Sequence, residues 1–224
     1  MQRQKLSRDF YTRRSVLAVA RGLLGTLLVV PGPGGRRVSG RIVETEAYRG
    51  PADRASHAYG GRRTKRTETM YQVGGTAYVY FVYGMYNQFN VVTNVPDIPH
   101  AVLVRALEPV EGLDLMRLRR GDGPDRVLAN GPGKLCIALG IDRRFDRADL
   151  LSDQIWIEAP AAPIPASAIA SGPRIGIDYA TGWVEKPWRF WVRGSPFVSR
   201  RGPRAAPGAA GEGAGAHANR ESTA

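Results

Sequence analysis

The sequence predicts an α+β fold: a single β-rich domain in which a curved, mostly antiparallel, open-barrel-like sheet carries surrounding helices and a protruding β-hairpin. Three observations point there. Short runs rich in Val, Ile, Leu and aromatic residues outnumber segments of helical period, the balance expected of a β-rich α+β domain. The length of 224 residues fits one domain, or at most two small ones, and can bury a sizeable core. Two β-rich runs, Thr76 to Tyr83 and Asn87 to Thr93, flank Gly84-Met85 in the pattern of a hairpin.

The elements follow in order. Val16, Val19, Ala20, Leu23 and Leu24 fall at helical spacing, and Gly25 stands where a helix-ending glycine belongs. Thr26 to Val30 reads as a strand, Pro31-Gly32-Pro33-Gly34-Gly35 as a turn, and Arg37 to Tyr48 as a longer strand. Arg49 to Thr69 is polar and Arg-rich, the composition of a surface loop with room for a short helix. After the hairpin, Val102 to Leu107 reads as a strand and Val110 to Arg119 as a helix. Asn130-Gly131-Pro132-Gly133 leads into a helix from Lys134 to Leu139, ended by Gly140. Ile155 to Glu158, Arg174 to Ile177 and Arg189 to Val192 read as later strands. The expected boundaries are a folded domain over residues 1–201 and a disordered tail over 202–224, whose Gly, Ala and Pro cannot bury enough apolar surface to fold.

Composition narrows the partners. Lys and Arg number 32 against 20 Asp and Glu, a net charge of +12. The excess is mostly Arg, whose planar fork donates two parallel hydrogen bonds and so suits phosphate. Cys136 is the single cysteine, which excludes an intramolecular disulfide and a thiolate zinc site and fits a reducing compartment. His57, His100 and His217 are too few and too scattered for a metal cluster, so no metal and no other cofactor is expected. Thr12-Arg13-Arg14-Ser15-Val16-Leu17 looks like a twin-arginine export signal, but Arg21 interrupts the apolar stretch. No apolar run is long enough to span a bilayer, and a cytoplasmic location without membrane contact is the expectation.

Chemistry concentrates in two segments. In an ideal strand Ile42, Glu44, Glu46 and Tyr48 share one face, with Val43, Thr45 and Ala47 on the other. Two carboxylates beside an aromatic ring invite acid/base work; a solvated strand face is the competing reading. The run Tyr78-Val79-Tyr80-Phe81-Val82-Tyr83 is apolar or aromatic on both faces. Val79 and Phe81 are expected to be buried, whereas Tyr83, beside the tight turn, is placed to wedge into a base stack. The loop from His57 to Arg66 offers cations and hydroxyls for phosphate, among them Arg62, Thr64 and Arg66. Asn130-Gly-Pro-Gly-Lys134 reads either as a phosphate-binding helix start or as an ordinary turn and cap. Walker A, Rossmann and serine-elbow motifs are absent from the sequence.

Taken in order, R-I-V-E-T-E-A-Y, the His57 loop with G-G-R-R-T, Y-V-Y-F-V-Y-G-M-Y, L-V-R-A-L-E-P, G-P-G-K-L-C and R-F-W-V-R-G-S-P resemble the alkyladenine DNA glycosylase family, also called 3-methyladenine or methylpurine DNA glycosylases. The similarity covers roughly Arg21 to Ser199. It implies base-excision repair: an alkylated or deaminated purine, such as 3-methyladenine or hypoxanthine, is flipped out of duplex DNA and its N-glycosidic bond is hydrolysed. By the same resemblance Glu46 is the general base with Glu44 its neighbour, and Arg105 lies near the attacking water. Tyr48, His57 and Tyr80 enclose the flipped base and Asn90 forms the pocket floor. Tyr83 enters the duplex in its place, and Lys134 lies near the DNA-binding side. No lysine stands at the base position, so hydrolysis without strand cleavage is expected.

The expected partner is double-stranded DNA containing damaged purines, met by a monomer associated with a bacterial nucleoid. The main alternative is a damaged-nucleic-acid-binding protein without catalysis, which needs the basic field and the aromatics but not Glu46. A hydrolase of RNA or free nucleosides is a second alternative, and a free nucleoside needs no duplex wedge. A sugar glycosidase would use paired carboxylates, but adjacent strand positions do not face each other across a substrate.

Overall fold

A computed structural model describes residues 4–82 and 84–199. Tyr83 and the tail from 202 onward lie outside the described residues. In chain order the elements are helices α1 (Arg8–Tyr11) and α2 (Val16–Gly22), strands β1 (Leu27–Pro31), β2 (Arg37–Arg49), β3 (Ala77–Val82), β4 (Tyr86–Thr93) and β5 (His100–Glu111). Helices α3 (Leu113–Arg120), α4 (Asp125–Leu128) and α5 (Pro132–Leu139) follow, then strands β6 (Trp156–Glu158), β7 (Ile169–Gly172) and β8 (Arg189–Val192). The eight strands form one antiparallel sheet in the order β3-β4-β5-β2-β1-β6, with β8 also pairing β2 and β7 pairing β8. The sheet does not close, so the expected open α+β architecture holds.

The two faces of the sheet are separated by the period-2 alternation of its strands. Val79 of β3, Phe89 and Val91 of β4, and Val102 and Val104 of β5 point into the main core. There they meet Val19 and Leu23 from α2 and Leu135 and Leu139 from α5. Ser15 caps α2 by accepting from Ala18 N, and Gly25, at φ +84°, turns the chain into β1. The intervening residues Tyr78, Tyr80, Asn90, Ala101 and Leu103 face away from that core. They are roofed by the segment between β2 and β3, which buries Ala58, Met70 and Tyr71. That segment is therefore no plain surface loop. It folds as short 3₁₀ turns, including Gly50–Ala52, Tyr59–Gly61 and Glu68–Tyr71, and it sinks Asp53, Thr67 and Thr69 out of water.

Several expectations change. Residues 174–177 form a loop rather than a strand, because Ile175 N donates to a carboxylate instead of a ladder carbonyl; the strand lies earlier, at β7. Ile42 belongs to the main core with Ala47 rather than to the carboxylate face, since a register shift between Ile42 and Glu44 breaks the alternation. Phe81 is 47% exposed, not buried, because the hairpin runs past the edge of the core. Strand β5 continues through Val110 and Glu111, and α3 starts only after Gly112 turns at φ +74°. Helices α1 and α4 are additions to the sequence reading. Among the described residues no helix is long and apolar enough to cross a membrane.

Gly40 lies in β2 where a Cβ would stand 2.8 Å from Leu107 Cβ. Gly40→Ala is expected to lower unfolding free energy by about 1–3 kcal/mol through overpacking. Gly123→Ala, whose Cβ meets only Val127 Cγ2 at 3.5 Å, should leave it within about 0.5 kcal/mol. Urea midpoints of the two variants check this; equal midpoints would contradict it.

Candidate functional site

The site grows from β2. Glu44 and Glu46 are both 0% exposed, so each carboxylate must be met by donors or lose far more than its burial returns. Opposite them the β5 register jumps from Ala106 to Val104, leaving Arg105 as the extra residue of a bulge. Bulges re-aim side chains, and this one sends the guanidinium between the two acids: Arg105 Nε lies 3.2 Å from Glu44 Oε1 and Nη1 lies 3.3 Å from Glu46 Oε1. Burial works against the charged Arg105, but Glu46 and Glu44 outweigh it and raise its pKa above the ordinary value.

The two acids differ in their remaining partners. Glu44 receives Ser199 N at 2.6 Å and Ser199 Oγ at 2.9 Å, with Arg189 Nε of β8 3.3 Å away. Glu46 receives Ile175 N at 2.7 Å on Oε1 and the Tyr48 hydroxyl at 2.8 Å on Oε2. Burial and then the Glu46 charge push the Tyr48 phenol well above its usual pKa, so it stays protonated and donates. Tyr48, Arg105 and Ile175 all line the neighbouring cavity, which places Glu46 directly behind its wall. The expected strand-face grouping of Glu44, Glu46 and Tyr48 is thus real, while the solvated-face reading of the two acids is excluded by their burial.

The cavity measures about 150 Å³, a volume at which a protein void admits a benzene ring. Its floor is the outward face of the hairpin strands and β5: Tyr78, Tyr80, Asn90 and Leu103. Asn90 Nδ2 donates to Tyr78 O at 3.2 Å, and Tyr80 Oη donates to Gln88 Oε1 at 2.6 Å. His57 stands on Tyr80 edge-to-face at 4.6 Å, with Nδ1 2.9 Å from the Tyr78 hydroxyl. Burial, helped by the Arg66 charge, lowers the His57 pKa to about 4, so the ring is neutral near pH 7. Behind Tyr48, the fully buried Arg174 pairs with the fully buried Asp53 at 2.5 and 2.8 Å, and its guanidinium lies 4.7 Å from the Tyr48 ring centre.

Six sequence-selected residues therefore converge: Glu46, Arg105, Tyr48, His57, Tyr80 and Asn90. The cationic candidates lie around them. Arg62, Thr64 and Arg66 line an adjoining cleft that shares His57 and Tyr179 with the cavity, and Arg66 sits 5.1 Å from the Tyr80 ring centre. The Thr64 hydroxyl is engaged with Thr67 Oγ1 at 3.2 Å. Lys134 lies on the other side, in a groove of about 710 Å³ with Arg120 and Arg126, and donates to Asn130 Oδ1 at 2.9 Å. That groove joins the cavity through Val82, Gln88 and Arg105. Sequence reasoning missed Asp53, Arg174, Ile175 and Ser199. A lone Arg inside the apolar stretch Pro173-Arg174-Ile175 was the available signal for one of them; Ile175 and Ser199 act mainly through backbone N–H groups, which leave no signature.

A family model described as methylpurine-DNA glycosylase (MPG) matches residues 9–196. A Bacillus licheniformis protein with the provisional name 3-methyladenine DNA glycosylase is 47% identical over 197 residues, covering 88% of this chain and 97% of that protein. A Myxococcus xanthus protein of the same provisional name is 50% identical over 198 residues, covering 88% and 95%. The human DNA-3-methyladenine glycosylase is 44% identical over 205 residues, covering 87% of this chain and 68% of the human protein.

Two tests address the burial of charge. Asp53→Asn strands the Arg174 cation and should cost about 3–5 kcal/mol in urea unfolding, most of it regained in Asp53→Asn/Arg174→Met; a single variant as stable as wild type would contradict this. The His57 ring proton, followed by NMR, should titrate near 4. Because the unfolded ring binds its proton near 6.5, the unfolded state holds more protons between these values. The His57 contribution to stability is therefore lost progressively as pH falls from about 6.5 toward 4. A midpoint above 6 would rule out the buried neutral ring.

Proposed function

This chain belongs to the methylpurine-DNA glycosylase family, and from that premise we propose that it is a base-excision-repair glycosylase. It takes a damaged purine from duplex DNA into the cavity beside Tyr48 and hydrolyses the bond to the sugar. The observation that carries this reading is a buried carboxylate, Glu46, held by donors immediately behind an aromatic-walled cavity of about 150 Å³.

Glu46 takes a proton from a water molecule as the water oxygen bonds to the sugar C1′. The N-glycosidic bond breaks and its electron pair leaves with the base. The transition state resembles an oxocarbenium ion, which the nearby negative charge stabilises. Glu46 suits this role better than Glu44. Three donors reach it from groups that line the cavity, whereas Glu44 shares Arg105 and is otherwise held by Ser199 and Arg189, which do not line it. Arg105 holds Glu46 in place and stands at the cavity wall, near the attacking water.

A purine alkylated at N3 or N7 is cationic and leaves readily, so one carboxylate suffices. A neutral base such as hypoxanthine needs a donor at its edge. A neutral His57 that accepts from the Tyr78 hydroxyl at Nδ1 carries its proton on Nε2 and can supply that donor. Tyr48 and Tyr80 stack on the extruded base over the Asn90 floor. Tyr83, outside the described residues, fills the gap left in the duplex. Arg62, Thr64, Arg66 and Lys134 hold the phosphates on either side of the cavity. With no lysine amine at the reacting carbon, the product is an intact abasic strand. We read residues 1–201 as one catalytic domain acting as a monomer on the DNA of a bacterial cytoplasm, where damaged bases cost less to extrude.

The test uses a duplex with one hypoxanthine, comparing wild type with Glu46→Gln. Wild type is expected to release free hypoxanthine and leave the strand uncut, while Glu46→Gln binds the duplex equally and releases base at least about 1000-fold more slowly, within the range for loss of positioned acid/base groups. Binding without release by both proteins, across hypoxanthine and alkylated purines, would favour a non-catalytic damage binder.

A further inference from the structure

The geometry points to Arg174 as the residue that positions Glu46 and Tyr48 for the reaction, a role that rests on the glycosylase reading above. Arg174 is 1% exposed and is not among the residues that line the base cavity. It is therefore not a catalytic residue, and a buried ion pair is by itself a weak source of stability. What it touches is the reacting group's support. One η nitrogen donates to Ala47 O at 3.0 Å, the carbonyl between Glu46 and Tyr48 in β2. Its guanidinium packs over two rings, 4.7 Å from the Tyr48 centre and 5.2 Å from that of Trp188. The next residue in the chain, Ile175, places its N–H 2.7 Å from Glu46 Oε1.

One side chain thus sets three things together. It fixes the strand carbonyl between the two site residues, it packs on the Tyr48 ring, and it anchors the backbone donor that holds one oxygen of Glu46. With Oε1 held by Ile175 and Arg105, Oε2 is the oxygen turned to Tyr48. Asp53 extends the brace to the opposite wall: it accepts from Arg49 N at 3.1 Å and from Ala55 N at 3.0 Å, two residues before His57. The ion pair ties the His57 loop and the 174–177 loop to the strand that carries the base. Arg is suited to this because its planar fork bonds Asp53 and the Ala47 carbonyl in one plane while its face packs on aromatic rings; a lysine cannot do all of these.

The experiment measures single-turnover release of hypoxanthine with enzyme in excess, and duplex affinity, for wild type, Arg174→Met/Asp53→Asn, Arg174→Lys and Ile157→Val, each first shown to be folded by its thermal transition. The double variant removes both charges together, so no orphan ion is left to unfold it. Its release rate is expected to fall about 100-fold, the cost of a misplacement near 1 Å, with duplex affinity unchanged. Arg174→Lys, which keeps a cation against Asp53, should fall by an intermediate amount and carries the test if the double variant does not fold. Ile157→Val, destabilised in the core at the β6 edge of the sheet, which among the strands pairs only β1, should keep the wild-type rate. A folded Arg174 variant that releases base at the wild-type rate overturns the proposal. So does a rate loss in Ile157→Val as large as that of the Arg174 variants, since the effect would then follow stability. If wild type itself releases no base from any lesion, the glycosylase reading falls, a failure that does not involve Arg174.

Discussion

Two carboxylates fully removed from water, two residues apart on one strand, set the terms for the rest of this structure. An unpaired buried charge costs several kcal/mol, so Glu44 and Glu46 must draw donors from wherever the chain can supply them. They draw Arg105 from a bulge in β5, Arg189 from β8, and backbone N–H groups from Ile175 and Ser199. With the Asp53–Arg174 pair alongside, three carboxylates face three guanidinium groups within one buried cluster. The late part of the chain, from β7 to Ser199, places Phe190 in the main core and Ile177 and Ala180 in a small cluster beside Tyr48, and brings Ile175, Arg189 and Ser199 to these acids.

The sheet supplies the second constraint. A strand has two faces, and a small domain ordinarily gives one to the core and one to water. Here β3, β4 and β5 give one face to the main core and the other to the cavity, roofed by the segment between β2 and β3. Asn90, Arg105, Tyr78 and Tyr80 are thus mounted on three strands paired side by side in the sheet, and His57 is held on the roof by Tyr78 and Tyr80. A rigid floor under a ligand-sized void is what pre-organised chemistry requires. The bulge at Arg105 is the point where regular pairing gives way to aim one side chain.

Charge is distributed by function as well as by amount. Arg36, Arg41, Arg63, Arg117 and Arg144 meet surface or half-buried acids, and exposed pairs of that kind add little stability; Arg37 bonds the buried Glu158 as well as Glu111. Arg62 and Arg66 line the cleft on one side of the cavity, and Arg120, Arg126 and Lys134 line the groove on the other. The cavity lies between these two basic tracts, the arrangement a polyanion would bridge while presenting a base to the centre.

Much of this was legible in the sequence. Period-3.6 spacing located α2, β-rich runs located β2 to β5, and the glycines at 25 and 140 marked helix ends, because these signals depend on neighbours within a few residues. The motif blocks likewise brought Glu46, Tyr48, His57, Tyr80, Asn90 and Arg105 forward as a set. The tertiary structure alone decided the rest. It turned Ile42 away from the carboxylate face, left Phe81 in solvent, made a loop of 174–177, and recruited Arg174, Asp53, Ile175 and Ser199. The reason is physical: a residue's local pattern records its own preferences, whereas a bulge, a buried ion pair or a backbone N–H aimed at a carboxylate depends on a partner far along the chain. Such a partner is chosen by the need to satisfy a buried charge, and only the folded arrangement reveals it.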